Sequence, residues 1–159
     1  MKRIAKGIRG LICTLLMGMP AVSTAEDTNG AIKVVVEQPW ARASLGTSRP
    51  GGAYLTLRNA GEKPVTLIGI RADIAGMTSI HETQTDNNGV SSMMPAADIE
   101  IPAGETLSLK PGSYHIMLMK LQAPLVEGET FPIILLFADG TELEVMMPVL
   151  RIGARGPED

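Results

Sequence analysis

Residues 131–149 read FPIILLFADGTELEVMMPV, two apolar runs separated by a turn. Asp139-Gly140 between them is among the strongest short signals for a β-hairpin, because glycine readily takes the positive backbone angle that a tight turn requires. From this hairpin back toward Ile32, short apolar runs separated by turn residues recur along the whole chain. Strands at this spacing are typical of an all-β sandwich or barrel, and no long helix is predicted.

The pattern also predicts how some of these strands pair. Residues 53–58 are expected to form a hairpin with residues 65–71, and residues 78–83 a second hairpin with residues 90–94 across Asp86-Asn87-Asn88-Gly89. The remaining predicted strands are 32–36, 106–109 and 114–121. Residues 151–159, rich in glycine and charge, are predicted to form a flexible C-terminal tail.

The first 25 residues have the character of an export signal rather than of a folded element. A basic start precedes an apolar stretch, residues 11–19, and Ser23-Thr24-Ala25 is a small-residue cleavage site. The apolar stretch is shorter than the roughly 20 residues that cross a bilayer. We therefore expect a signal peptide over residues 1–25, a periplasmic protein without a membrane anchor, and one folded domain over residues 26–150.

Cleavage after Ala25 would leave ten basic and 17 acidic residues, a net charge of −7. This charge, with only 3% aromatic residues, argues against nucleic-acid binding. The single cysteine, Cys13, lies in the signal segment, so the mature domain has neither thiol chemistry nor the cysteine ligand of a blue-copper centre. We do not expect an enzyme, because the sequence has no recognisable nucleophile elbow, acid pair or phosphate-binding loop. We also expect a monomer.

Histidine and methionine are the residues that carry candidate chemistry. The mature chain has two histidines, His81 and His115, and strand alternation places His115, Met117 and Met119 on one face. Either Met93 or Met94 could approach His81 across the second hairpin. The other mature methionines, which we expect to serve packing, are Met77, Met146 and Met147.

Two interpretations of these residues stay open at this point: a metal site, or two structural histidines among core methionines. If a metal binds, thioether sulfur favours Cu(I), whereas Ca²⁺ or Mg²⁺ would require converging carboxylates. Thioethers do not titrate, so copper binding should weaken only when the imidazoles protonate, below about pH 6–7.

The spacing of these residues is similar to a known family signature. His81 is followed after 11 residues by Met93, and Met93 after 21 residues by His115-Ile116-Met117. The chain thereby resembles the periplasmic copper chaperones of the PCu(A)C family over about residues 34–148. Flanking segments that also match are Pro39-Trp40-Ala41-Arg42-Ala43, Gly52-Ala53-Tyr54-Leu55-Thr56, His81-Glu82-Thr83, Ile101-Pro102-Ala103-Gly104, Leu109-Lys110-Pro111-Gly112 and Tyr114-His115-Ile116-Met117-Leu118-Met119.

The resemblance implies a cupredoxin-like or immunoglobulin-like Greek-key β-sandwich with one Cu(I) held by His81, Met93, His115 and Met117. It implies delivery of copper to the dinuclear centre of cytochrome c oxidase subunit II, alongside Sco-type thiol proteins. Two other functions stay open: copper buffering or resistance through the same residues, and a structural sandwich without metal. Glu82 stands where some members have a further methionine, and the tail lacks the His- and Met-rich extension of others.

Overall fold

A computed structural model describes residues 32–157 as a succession of ten β-strands with no helix in that range. The strands are β1 (Val34–Arg42), β2 (Gly51–Asn59), β3 (Val65–Arg71), β4 (Ala75–Thr85), β5 (Ser91–Pro95), β6 (Ile99–Ile101), β7 (Thr106–Leu109), β8 (Tyr114–Leu121), β9 (Thr130–Phe137) and β10 (Glu142–Leu150). The predicted all-β fold is confirmed. The predicted signal peptide lies outside the described residues.

The strands form two sheets that enclose the core. The first has the order β5-β4-β8-β2-β1, with β7 also pairing with β2, and the second has the order β10-β9-β3-β6. A short parallel pairing joins them, Ala41 with Val149 and Arg42 with Leu150. We call them the first and the second sheet.

Alternation along the strands directs one face of each sheet inward. Leu55 and Leu118 of the first sheet and Leu67, Leu135 and Phe137 of the second belong to one buried cluster. Each of these side chains is at most 2% exposed. Burial of this apolar surface is the main driving force that holds the two sheets together.

Two predicted hairpins are confirmed. β9 and β10 pair antiparallel around Asp139-Gly140, and β4 and β5 pair antiparallel around the turn that ends at Gly89. Both turn glycines have positive φ, 87° at Gly140 and 80° at Gly89. The two turns therefore use the backbone freedom that the sequence indicates.

The predicted pairing of residues 53–58 with residues 65–71 is wrong. β2 pairs with β1, β7 and β8 in the first sheet, whereas β3 pairs with β6 and β9 in the second. The connection crosses from one sheet to the other because the Asn59 side chain fixes it: Nδ2 donates to the carbonyls of Lys63 and Ile101, and Oδ1 accepts from Gly61 N–H. A buried amide with these partners anchors an arch rather than a two-stranded turn.

The first strand is longer than predicted and irregular. The pairing of β1 with β2 shifts register between Glu37 and Trp40, where Gln38 takes a φ of 48°. A bulge of this kind lets the strand continue past Pro39 to Arg42. β6 is an additional strand, only three residues long, that was not predicted.

The start of the predicted C-terminal tail is docked onto the domain. Ala154 is 1% exposed and packs with Trp40, Tyr54 and Leu150. Its carbonyl accepts a hydrogen bond of 2.7 Å from Arg42 Nε. The flexible segment predicted for residues 151–159 is thus held to the first sheet at Ala154. Within residues 32–157 there is no helix of the length and hydropathy that a membrane crossing needs.

Candidate metal centre

The two histidines lie opposite each other on neighbouring strands. β4 and β8 pair with His81 directly across from His115, and the ring centroids are 6.1 Å apart. Histidine nitrogens bind metals at about 2.0–2.1 Å, which with a ring radius of about 1.1 Å allows two ligating rings a centroid separation of up to roughly 6.4 Å. At this separation the two imidazoles can share one ion with a wide N–metal–N angle.

The thioethers of β8 lie on the same face as His115. Ile116 and Leu118 are fully buried in the core, so the intervening positions project from the outer face of the first sheet. The predicted common face of His115, Met117 and Met119 is confirmed. Met117 is paired with Ser79 on one side and Gly52 on the other, which places it near the centre of the sheet.

The pairing of β4 with β5 distinguishes Met93 from Met94. Met93 lies opposite Thr83, two residues from His81, and therefore projects from the histidine face. Met94 lies opposite Glu82 and projects from the other face. The four residues predicted as ligands, His81, Met93, His115 and Met117, thus share one face of three adjacent strands.

A backbone carbonyl fixes the orientation and the tautomer of His115. Its Nδ1 is 2.9 Å from the carbonyl oxygen of Ser113. A carbonyl can only accept, so Nδ1 donates and the neutral ring keeps the lone pair on Nε2. Nε2 is buried and has no hydrogen-bond partner within residues 32–157. A buried lone pair of this kind is suited to a metal ion.

The same carbonyl ties the ring to the neighbouring strand. Ser113 O also accepts the backbone N–H of Thr83 at 3.2 Å. Ser113 is held by a turn that closes on Lys110 and passes through Gly112, whose φ is 80°. The Pro111-Gly112 pair seen in the sequence therefore determines where the His115 ring points.

A cavity of about 290 Å³ opens beside three of the predicted ligands, Met93, His115 and Met117. Gly52 lines it as well, and a Cβ at Gly52 would lie 2.7 Å from the hydroxyl oxygen of Tyr54. Glycine is required here because Tyr54 is buried and cannot easily move away. The cavity gives an incoming ligand access to the metal-binding face.

Tyr54, which lines this cavity, packs against Trp40 in a tilted aromatic pair. The Trp40 and Tyr54 ring centroids are 4.4 Å apart, and the Arg42 guanidinium carbon lies 5.8 Å and 5.4 Å from them. The Arg42 guanidinium therefore packs against both rings of the pair. Burial raises the pKa of the Tyr54 hydroxyl, and the nearby Arg42 charge partly opposes this.

Two methionines outside the proposed ligand set differ from expectation, and one serine has an environment that was not predicted. Met147 is buried as predicted, but Met77 and Met146 are 48% and 50% exposed, so their assignment to packing is wrong. Ser79, opposite Met117, has a buried hydroxyl without a hydrogen-bond partner in the described range. No pattern in the sequence marks this serine, because its position depends on the register of β4 with β8.

The donor set favours a soft ion. Among residues 32–157 no three His, Cys, Asp or Glu residues cluster as a metal site. The cavity lining includes Arg42 and Arg49 but no acidic residue within that range. Neutral imidazoles and thioethers beside cationic groups fit a monovalent soft ion better than Ca²⁺ or Mg²⁺.

The chain has relatives among known proteins. The family model described as "Putative lipoprotein LpqE-like" matches residues 34–149. A protein of Leifsonia xyli subsp. xyli (strain CTCB07), named "Putative lipoprotein Lxx21020", is 32% identical over 146 residues, covering 92% of this chain and 84% of that protein.

Two solved structures are similar in fold. The solution structure of CuI-DR1885 from Deinococcus radiodurans matches with a TM-score of 0.60 and 32% identity, covering 82% of this chain and 86% of that one. The copper-bound PCuAC domain from PmoF2 matches with a TM-score of 0.63 and 21% identity, covering 76% and 96%. The predicted cupredoxin-like β fold is confirmed by these matches.

Proposed function

Because the chain belongs to the LpqE-like family, to which the PCu(A)C domains are related, we propose that it is a copper chaperone that binds one Cu(I) ion through His81, Met93, His115 and Met117. One observation carries this proposal. Four side chains from distant parts of the sequence lie on one face of three adjacent strands, and the only lone pair of the neutral His115 ring is buried there without a partner.

The proposed oxidation state, Cu(I), is supported by the chemistry of the donors. Two thioethers and two imidazoles are neutral and soft, which stabilises Cu(I) relative to Cu(II). The relative from Deinococcus radiodurans is named as a CuI form, and this supports the same state here.

The difference in burial among the four residues suggests an order for copper release. His115 is 5% exposed and its ring is held by Ser113, whereas Met93 is 59% exposed on an edge strand. An exposed thioether can leave the ion when a ligand of the recipient arrives, while the fixed imidazole keeps hold of it. Copper would then pass by ligand exchange, without a free ion and without catalysis.

The recipient is proposed from the family resemblance. We propose delivery to the copper centre of cytochrome c oxidase subunit II, with Sco-type thiol proteins as further partners. Export from the cytoplasm, which the proposed transfer in the periplasm requires, is supported by the predicted signal peptide and by the lipoprotein name of the Leifsonia relative. Deletion of the gene is expected to lower oxidase activity at limiting copper, whereas a buffering function would instead cause sensitivity to excess copper.

Competition of the mature protein with a Cu(I) chelator tests the binding site. Wild type should bind one equivalent tightly enough to compete with the chelator, and His115→Ala and Met117→Leu should each weaken this binding by at least about 100-fold, since changes in outer-shell partners alone typically cost 10–100-fold. Met146→Leu, which removes an exposed thioether from the second sheet, is the control and should bind as wild type does. Unchanged affinity in both test variants would leave a structural sandwich without this metal site.

A further inference from the structure

A second pair of methionines lies on the metal-binding face, beyond the four proposed ligands. Met77 of β4 is directly opposite Met119 of β8. Both have the same parity as the histidines of their strands, so both project from the outer face of the first sheet. Residues opposite each other on antiparallel strands have Cβ atoms about 4.5–5.5 Å apart, within which two flexible thioethers can turn toward one ion.

The position of Met77 is open to solvent. The pairing of β4 with β5 extends only from His81 to Thr85, so at Met77 β4 is the edge of the first sheet in the described part of the chain. The Met77 side chain is 48% exposed and does not belong to the buried core. Core packing therefore gives no reason for methionine at this position.

The pair adjoins the proposed site through Met117. Along β8, Met119 follows Met117 by two residues, a step of about 6.6–7 Å. On β4, the small Ser79 occupies the place opposite Met117, between Met77 and His81. Three thioethers, from Met77, Met117 and Met119, thus lie together on one face, with a buried and unpartnered hydroxyl among them.

We propose that Met77 and Met119 form a second, weaker site for a soft monovalent ion such as Cu(I), next to the first site and sharing Met117 with it. Thioethers are neutral, soft ligands, and two or three of them without an imidazole bind less tightly than the His/Met set. The second site would hold copper briefly on its way into or out of the first. Only this role in transfer rests on the proposed copper-chaperone function, whereas the second binding site itself does not.

Silver provides the test, because Ag(I) is a soft monovalent ion that does not change oxidation state in air. Mature protein with ¹³C-labelled methionine methyl groups is titrated with Ag(I) and followed by NMR. The first equivalent should shift the Met93 and Met117 signals, and the second those of Met77 and Met119. The double variant Met77→Leu/Met119→Leu should bind the second equivalent at least about tenfold more weakly, a loss of about 1.4 kcal/mol.

A matched double variant removes the same number of thioethers elsewhere. Met94→Leu/Met146→Leu affects side chains that are 56% and 50% exposed and do not share the metal-binding face. It should keep the second equivalent. The inference is wrong if Met77 and Met119 shift no more than Met146, or if both double variants lose the second equivalent alike. Failure of the proposed function is seen separately, as Met93 and Met117 signals that do not respond to the first equivalent.

Discussion

At the scale of single residues, parity along a strand decides which side chains can act together. Met93 and Met94 are neighbours with similar exposure, 59% and 56%, yet they project from opposite faces of the first sheet. Only Met93 shares a face with His81. The proposed site therefore depends on one of two adjacent and chemically identical side chains.

This difference predicts different effects of the same substitution at the two positions. Met93→Leu should weaken Cu(I) binding by about 10–100-fold or more, because it removes a donor while keeping the size of the side chain. Met94→Leu should leave the affinity unchanged. Competition titration of both variants measures this, and an equal loss in both would contradict the assignment of Met93.

The hydrogen bond from His115 to the Ser113 carbonyl gives a second prediction at this scale. In the metal-free protein at pH 8 the neutral ring should carry its proton on Nδ1, as the 2.9 Å contact requires. Nitrogen-15 NMR of the imidazole distinguishes the two tautomers, and addition of Ag(I) should then shift the Nε2 resonance. A proton on Nε2 in the metal-free state would contradict the account, because the Nε2 lone pair would then not be available to bind a metal ion.

At the scale of elements, the β4–β5 hairpin brings Met93 to the site. Asp86 supports its turn, since Oδ1 accepts the backbone N–H groups of Asn88 and Val90 at 2.8 Å and 2.9 Å. These bonds favour the carboxylate and lower the pKa of Asp86, with the bond from Val90 the largest cause. The carboxylate therefore stabilises the turn fully at a pH above 3.8, the ordinary pKa of an aspartate. This stabilisation is lost as the pH falls through the lowered pKa of Asp86 in the folded state.

Removal of this carboxylate should therefore loosen the hairpin and affect the metal site at a distance. Asp86→Ala is expected to speed amide hydrogen exchange in β5 severalfold and to weaken Cu(I) binding. Asp139→Ala is the matched control, because Asp139 Oδ1 accepts the Thr141 N–H at 2.9 Å in the β9–β10 turn. A Cu(I) affinity as low in Asp139→Ala as in Asp86→Ala would mean that the effect is not specific to the hairpin that carries Met93.

At the scale of the whole molecule, the core fixes the strands from which the site residues project. Leu118 is fully buried directly behind Met117, and truncation to alanine should destabilise the domain by about 2–5 kcal/mol. The expected fall in Tm is at least about 5 °C by calorimetry. Ile68→Ala, at a position that is 47% exposed, should change stability by no more than about 0.5 kcal/mol.

Features set by neighbouring residues could be predicted from the sequence, whereas features set by contacts between distant segments could not. The Asp139-Gly140 and Asn88-Gly89 hairpins were predictable because a short turn and its flanking strands are contiguous in the chain. The common face of His115, Met117 and Met119 followed from alternation alone. Pairing of β2 with β8, or of β4 with β8, depends on contacts between distant segments.

Those long-range contacts explain the errors and omissions. The connection after β2 resembles a hairpin in sequence, but the buried Asn59 side chain turns the chain into the second sheet. Met77 is exposed because the pairing of β4 with β5 extends only from His81 to Thr85, and the Ser79 hydroxyl is buried because of the register of β4 with β8. The docking of Ala154 could not be predicted, because it depends on a hydrogen bond from the distant Arg42 side chain.

X-ray absorption spectroscopy of the Cu(I) protein tests the shared site most directly, because it identifies the atoms bound to the metal. The account predicts a first shell of two imidazole nitrogens and two thioether sulfurs, with one sulfur lost in Met93→Leu and none in Met94→Leu. A first shell without sulfur, or one that Met93→Leu leaves unchanged, would contradict it.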